Sequence, residues 1–213
     1  MSAVALPQPK TYTIAEYLAL EAETGEKYEF FDGEVYLWEA MAGGAAPHAR
    51  LCSRLSGLLE SRLDPARCNA FNADLKLSIH ALRRYRYPDL SVVCGPLEYD
   101  EDVAQAVTNP VCLVEVTSES SKEADYTTKA KQYMEHIPAL RDYLVVVQDE
   151  RFVSLFSRKG PHDDWRVRHY TEPTDAVTVE SIGVTVTLAE VYHNIEWRDG
   201  KAMVGVGTPS DAA

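Results

Sequence analysis

Long apolar runs are missing from this chain of 213 residues. No stretch approaches the roughly 18 consecutive apolar residues that a membrane-spanning helix needs. The opening segment, MSAVALPQPKTYT, has neither a basic start nor an apolar core of the kind that directs secretion. These absences predict a cytoplasmic protein with no membrane partner. Cysteine is scarce too: Cys52, Cys68, Cys94 and Cys112 are widely spaced, with no CxxC pair. That spacing argues against a zinc site or a disulfide framework and predicts reduced core thiols. Basic residues are outnumbered, 21 Lys and Arg against 33 Asp and Glu, for a net charge of -12. Such a balance opposes broad electrostatic attraction to nucleic acid, although it leaves room for a local basic strip. The most basic window, ALRRYRYPD, holds Arg83, Arg84 and Arg86 interleaved with Tyr85 and Tyr87. It reads equally as a strand with one solvated face and as an edge that contacts phosphate.

What is present is enough apolar content, 46%, for one medium-sized domain with its own core. A single domain over 1–200 is expected, with a flexible segment 1–10 and a disordered tail 201–213 rich in Gly, Ala and Ser. Thr13 and Glu16 form a capping-box pattern, which predicts a helix over about 13–23. KYEFFDGEVYLWEA alternates around Asp32-Gly33, a turn dipeptide suited to a tight hairpin. Leu51, Leu55, Leu58, Leu59 and Leu63 lie on one stripe of a second helix. Strands are expected within 66–95, then an acidic surface loop with a short helical piece at LEYDEDVAQAVTNP. The strand VCLVEVT, a Ser-capped helix over about 122–136, the central strand RDYLVVVQD and an antiparallel pair, RFVSLFSR with WRVRHY, complete the order. The pattern predicts a mixed α/β fold, a central mixed sheet flanked by helices with extra antiparallel strands.

Within LVEVTSESS, Glu115 interrupts a run that otherwise suits a buried strand. An ionised carboxylate there needs compensation, because an unpaired buried charge costs several kcal/mol. Asp89, in YPDLSVVCG, can converge with Glu115 if their strands are neighbours, since side chains alternate between faces. Thr117 follows on the face of Glu115, and the next helix carries Asp125, Lys129 and Tyr133 at i, i+4 and i+8. Two carboxylates brought together repel, and a hard divalent cation lets both stay ionised. Mg²⁺, with Mn²⁺ as the alternative, would bind phosphate oxygens beside a lysine that orients water, and hydrolysis of a phosphodiester is the chemistry implied. Each residue has a plainer reading as well: Pro88-Asp89 as a turn, Glu115 satisfied by an arginine such as Arg86, and Asp125 with Lys129 as a helix-surface pair.

In combination these residues resemble the PD-(D/E)XK nuclease superfamily and, more closely, its Uma family of restriction-type endonucleases. KYEFFDGEVY resembles the family's YELIDGE opening, YRYPDLSVVCG its RPDVVVV strand, and NPVCLVEVTSESSKEADYTTKAKQY its strand ending E-V-x-S followed by D-x-x-x-K-x-x-x-Y. The resemblance spans nearly the whole chain. It implies Asp89 and Glu115 as metal carboxylates, the Val116 carbonyl as a further ligand, and Glu29 as a member that completes or orients the acidic cluster. Lys129 takes the place of the superfamily's lysine, which Thr117 vacates, with Lys122 as the spare. His48, Thr117, Asp125 and Tyr133 would line or brace the site. SES in place of SPS, and the absent Gly and Trp around HIPALRDYLVVVQDE, depart from the family pattern. The expected function is a Mg-dependent endonuclease acting on DNA as a homodimer. A non-catalytic nuclease-fold module that binds nucleic acid or protein, and a hydrolase of smaller phosphoesters, are the alternatives.

Overall fold

The computed structural model describes residues 11–38, 46–119, 121–198 and 201–205. The expected flexible segment 1–10 and the last eight residues of the tail lie outside them. Helix α1 (Ile14–Thr24) starts from the Thr13–Glu16 capping box and ends at Gly25, whose φ of 70° suits a residue without a Cβ. Strands β1 (Tyr28–Phe31) and β2 (Glu34–Leu37) form the hairpin around Asp32-Gly33, both at positive φ as a two-residue turn requires. Helix α2 (Ala46–Glu60) buries Leu51, Leu55, Leu58 and Leu59.

Two sheets follow from the remaining strands. β3 (Cys68–Asn72), β4 (Lys76–Ile79), β5 (Arg84–Arg86), β6 (Leu90–Cys94), β7 (Ala106–Val107) and β8 (Cys112–Thr117) come first. Helix α3 is continuous from Lys122 to His136, with a π-helical turn, Asp125–Lys129, between its two α-helical parts. β9 (Asp142–Val147), β10 (Phe152–Ser157) and β11 (Arg166–Tyr170) come next. The larger sheet has the order β11-β10-β9-β8-β6-β3 and the smaller β2-β1-β5-β4-β7. β8 and β9 run parallel, joined by the α3 crossover, while β6 and β8 run antiparallel. This is the mixed sheet flanked by helices that the patterning predicts.

Alternation along β8 divides the molecule. Cys112, Val114 and Val116 pack in the core under α2, whereas Leu113 packs with Ala130, Tyr133 and Ile137 of α3. Glu115 therefore points to the α3 side. A third cluster, Tyr17, Phe30, Tyr85, Val103 and Ala106, holds α1 on the smaller sheet.

Several expectations are corrected. Cys68 and Cys94 are joined by a disulfide, because they are directly opposite in the β3–β6 pair; only Cys52 and Cys112 are free thiols. The acidic loop contains no helix. It is held by Asp100, which accepts the Asp102 and Val103 amides, and it contributes β7 parallel to β4. Beyond the β10–β11 pair, β12 (Ala176–Val179), β13 (Val184–Thr187) and a short helix α4 (Leu188–Val191) close the α2 core. The tail expected to be disordered begins with a strand, β15 (Lys201–Val204), paired with β14 (Ile195–Arg198).

Candidate metal centre

The antiparallel register of β6 and β8 pairs Leu90 with Val114, and its continuation sets Asp89 opposite Glu115. The Val116 N–H donates to Asp89 Oδ2 at 2.7 Å. That bond ties the residue before β6 to the neighbouring strand. Asp89 and Glu115 both line a small cavity of about 40 Å³ together with Glu29, His48, Val116, Asp125 and Lys129. Ser118, Ser121, Trp38 and Tyr87 complete its wall.

Glu115 is nearly inaccessible, yet both of its oxygens are satisfied. Tyr133 donates its hydroxyl to Oε1 at 2.8 Å, and Lys129 donates from Nζ to Oε2 at 3.1 Å. Lys129 Nζ also lies 2.8 Å from Asp125 Oδ1. That contact is an ion pair without hydrogen-bond geometry, and Asp125 Oδ1 is buried with no hydrogen-bond partner. The π-helical turn spans both residues, a local departure frequent at functional sites. Burial pushes the Glu115 carboxyl up to about 7, with Asp125 and Asp89 adding to the rise and Lys129 opposing it. Burial would lower the Lys129 ammonium, but Glu115 and Asp125 outweigh it and hold its pKa above the usual lysine value. Lys129 is therefore a cation here, and it cannot serve as a free base.

Glu29, on β1, faces Arg86 at 3.2 Å, and both are almost fully buried. Arg86 also donates to the side-chain oxygen of Gln132 at 3.1 Å, as Arg84 does at 2.9 Å. The three arginines expected to form one basic strip thus separate. Arg86 belongs to the interior, Arg84 is half-buried over the Phe31 ring, and Arg83 alone is exposed, on a left-handed turn with φ 46°. Strand alternation places Arg84 and Arg86 on the α3-facing side, which the sequence cannot distinguish from a solvated side.

His48, at the start of α2, lies 3.4 Å from Asp89 Oδ2 through Nε2. Burial opposes protonation of its ring, but the hydrogen bond it donates to Asp89 and the charges of Asp89 and Glu115 win and raise its pKa. Thr117 does not line the cavity; its hydroxyl bonds the Ser118 carbonyl and Ser121 Oγ, bracing the turn into α3. Ser121 Oγ accepts from the Ser118 amide, and the Ser121 side chain makes no capping bond to the amides of α3. Lys122, the spare lysine, pairs with Glu150 at 2.9 Å away from the cavity. Trp38, Tyr87 and Ser121 were not singled out from sequence, and nothing in their local patterns marks them.

The donor set suits a hard divalent cation. Four carboxylates, Glu29, Asp89, Glu115 and Asp125, face only two permanent cations, Lys129 and Arg86. The raised Glu115 pKa, to which Asp125 and Asp89 contribute, registers that excess. A cavity of about 40 Å³ has room for an ion or water rather than a substrate.

Comparison with known proteins shows the family of the chain. The Uma2 family, described as "Putative restriction endonuclease", matches residues 14–189. The chain belongs to the Uma2 family. It is 36% identical to an uncharacterized Synechocystis sp. protein over 180 residues, covering 84% of this chain and 90% of the relative. A second uncharacterized Synechocystis protein is 36% identical over 139 residues, 65% of this chain and 76% of its own. Among solved structures, the Uma2 chain is similar to one described as a putative nuclease belonging to DUF820 from Anabaena variabilis. The TM-score is 0.66 at 19% identity, over 85% of this chain and 97% of that one. That likeness shows the shared fold. No helix among the described residues is long and apolar enough to cross a membrane.

Proposed function

We propose that this Uma2 protein is a Mg²⁺-dependent endonuclease that hydrolyses phosphodiester bonds in DNA. The observation that carries the reading is the convergence of Asp89, Glu115 and Lys129 on one small acidic cavity. Asp89 and Glu115 hold the metal, with the Val116 carbonyl beside them, and Glu29, fixed by Arg86, keeps the cluster anionic. The ion, when bound, lowers the pKa of water and neutralises charge developing on the phosphate. Lys129 exchanges its place on Glu115 for a place on the attacking water or the scissile phosphate. Asp125 keeps that ammonium anchored through the exchange, and Tyr133 holds the Glu115 carboxylate in orientation. His48, beside Asp89, lines the same cavity. DNA approaches over Arg83, and a homodimer supplies one site for each strand.

The test is isothermal titration of Mg²⁺ and Mn²⁺ into wild type, Asp89→Ala, Glu115→Ala and Lys129→Ala, with nicking of supercoiled plasmid followed on the same preparations. The expected result is metal binding lost in both acidic variants and nicking lost in all three. Metal binding that ignores both carboxylates would overturn the assignment. Binding without nicking in wild type would move the protein to a non-catalytic nucleic-acid module.

A further inference from the structure

His48 and Cys52 sit one turn apart on α2, and their side chains face Asp89 across the wall of the acidic cavity. One ligand atom from each of the three residues lies within 4.8 Å of the others. His48 Nε2 is 3.4 Å from Asp89 Oδ2 and 4.0 Å from Cys52 Sγ. For an ion bound tetrahedrally by nitrogen, oxygen and sulfur at ordinary zinc distances, those separations would be about 3.3 Å and about 3.6 Å. The two edges that meet at His48 already match such a tetrahedron to within a few tenths of an ångström, and the third, from Cys52 to Asp89, is no longer than 4.8 Å. From these distances we propose that His48, Cys52 and Asp89 form a second metal site, for a transition metal of the Zn²⁺ class.

The chemistry of the donors separates this site from the magnesium arrangement. Mg²⁺ takes oxygen ligands and rejects sulfur, whereas thiolate with imidazole selects Zn²⁺ or its neighbours. The two arrangements also open differently. Cys52 does not line the small acidic cavity; it lines an adjoining one of about 420 Å³, bounded by Lys27, Trp38, Asn72 and Asp74, into which His48 and Asp89 also project. That larger cavity is the route by which an ion reaches the sulfur, and it leaves the fourth position to water. Of the four cysteines, Cys112 is buried and Cys68 is bonded to Cys94, so Cys52 is the one thiol with partial access.

Asp89 is common to both sites. Zn²⁺ on His48 and Cys52 therefore withdraws Asp89 from Mg²⁺, and the transition metal acts as an inhibitor; this consequence rests on the endonuclease reading, whereas the Zn²⁺ site itself does not.

Co²⁺ is the probe, because a bound thiolate gives it a charge-transfer absorption that nitrogen and oxygen ligands lack. Expected is one equivalent of Co²⁺ with that absorption, displaced by Zn²⁺. Cys52→Ser and Cys52→Ala should each abolish the absorption and lower Zn²⁺ affinity roughly tenfold or more, since even outer-shell partners of a metal ligand carry that much. His48→Gln should lower affinity likewise, while Mn²⁺ titration of the Cys52 variants stays unchanged. Thermal melts on each variant establish folding, and Cys52→Ser keeps the side-chain shape. Co²⁺ bound without thiolate absorption, or Zn²⁺ affinity unchanged in a folded Cys52→Ser protein, would overturn the site. If Zn²⁺ binds as expected but Mn²⁺ binding ignores Glu115, the endonuclease reading fails and the Zn²⁺ site stands.

Discussion

Lys129 reaches across from the π-helical turn of α3 to Glu115 on β8, with Nζ 3.1 Å from Oε2. Glu115 is buried and Lys129 mostly so, so the two are worth more to each other than a surface pair, and Glu115 is costly without its partner. Lys129→Met should therefore do two things. Plasmid nicking falls by about 10²–10³-fold, the usual range for loss of one electrostatic donor to the transition state. Stability, measured by urea unfolding at pH 8, falls by about 3 kcal/mol because an uncompensated carboxylate remains inside. Below pH 6 the second loss should shrink, since Glu115 takes up a proton. A pH-independent loss would mean that the lysine acts only through packing.

Glu115 makes the metal-free protein sensitive to pH in an unusual direction. Its carboxyl is raised from 4.5 to about 7, burial being the largest cause. Between those values the folded state holds more protons than the unfolded state, so raising the pH favours unfolding. This contribution is fully present below 4.5 and is lost as the pH climbs through about 7. Urea midpoints taken without metal should decline across that window in wild type, and Glu115→Gln should remove that part of the slope. Proton competition predicts that Mn²⁺ affinity rises over the same interval. A flat midpoint in wild type would place Glu115 at an ordinary carboxylate pKa.

Arg86 and Arg83, three positions apart, should behave as opposites. Arg86→Ala leaves Glu29 buried and unpaired, which costs about 3–5 kcal/mol and lowers the thermal midpoint whatever nucleic acid is present. Arg83→Ala, on an exposed turn, should change stability by less than about 0.5 kcal/mol. It should weaken DNA binding uniformly across sequences and flatten the salt dependence by about one phosphate contact. Measuring both variants by melting and by filter binding at several salt concentrations separates the roles. Equal effects on DNA binding at full stability would restore the single basic strip.

The difference between those arginines shows what the sequence carries and what it does not. Asp89 and Glu115 could be brought together on paper because strand alternation is a local rule, needing only that β6 and β8 be neighbours. Lys129 could be placed because the i, i+4 spacing survives the π-helical turn. Arg86 could not be placed, since its partner Glu29 lies on β1 and an alternating strand looks the same whether its polar side meets water or α3. Thr117 follows the alternation of β8 correctly but lies where the strand ends, and its hydroxyl turns to Ser121. The sequence expectation against a zinc site passes over the four-residue step from His48 to Cys52, which gains meaning only when Asp89 stands beside it. The strands from Ala176 onward are short and close the α2 core, and Asp199-Gly200, the same dipeptide that marks the first hairpin, stands in the sequence between β14 and β15 and is overlooked when that stretch is read as a tail.

Cys68 and Cys94 join the edge strand β3 to β6, whose first turn holds Asp89. Their spacing of 26 residues closes a loop that, by chain entropy, is worth about 3.5 kcal/mol against the unfolded state. The double variant Cys68→Ser, Cys94→Ser should lose about that much by urea unfolding, and reduction of the wild type should match it. The linkage lies at the far end of β6 from the acidic cavity, and Asp89 is held there independently by the Val116 amide. Mn²⁺ affinity should consequently survive both treatments at temperatures where the protein stays folded. A free-thiol count of four in freshly purified, denatured protein would show the bond unformed, and a parallel loss of Mn²⁺ binding on reduction would make the disulfide a support of the site itself.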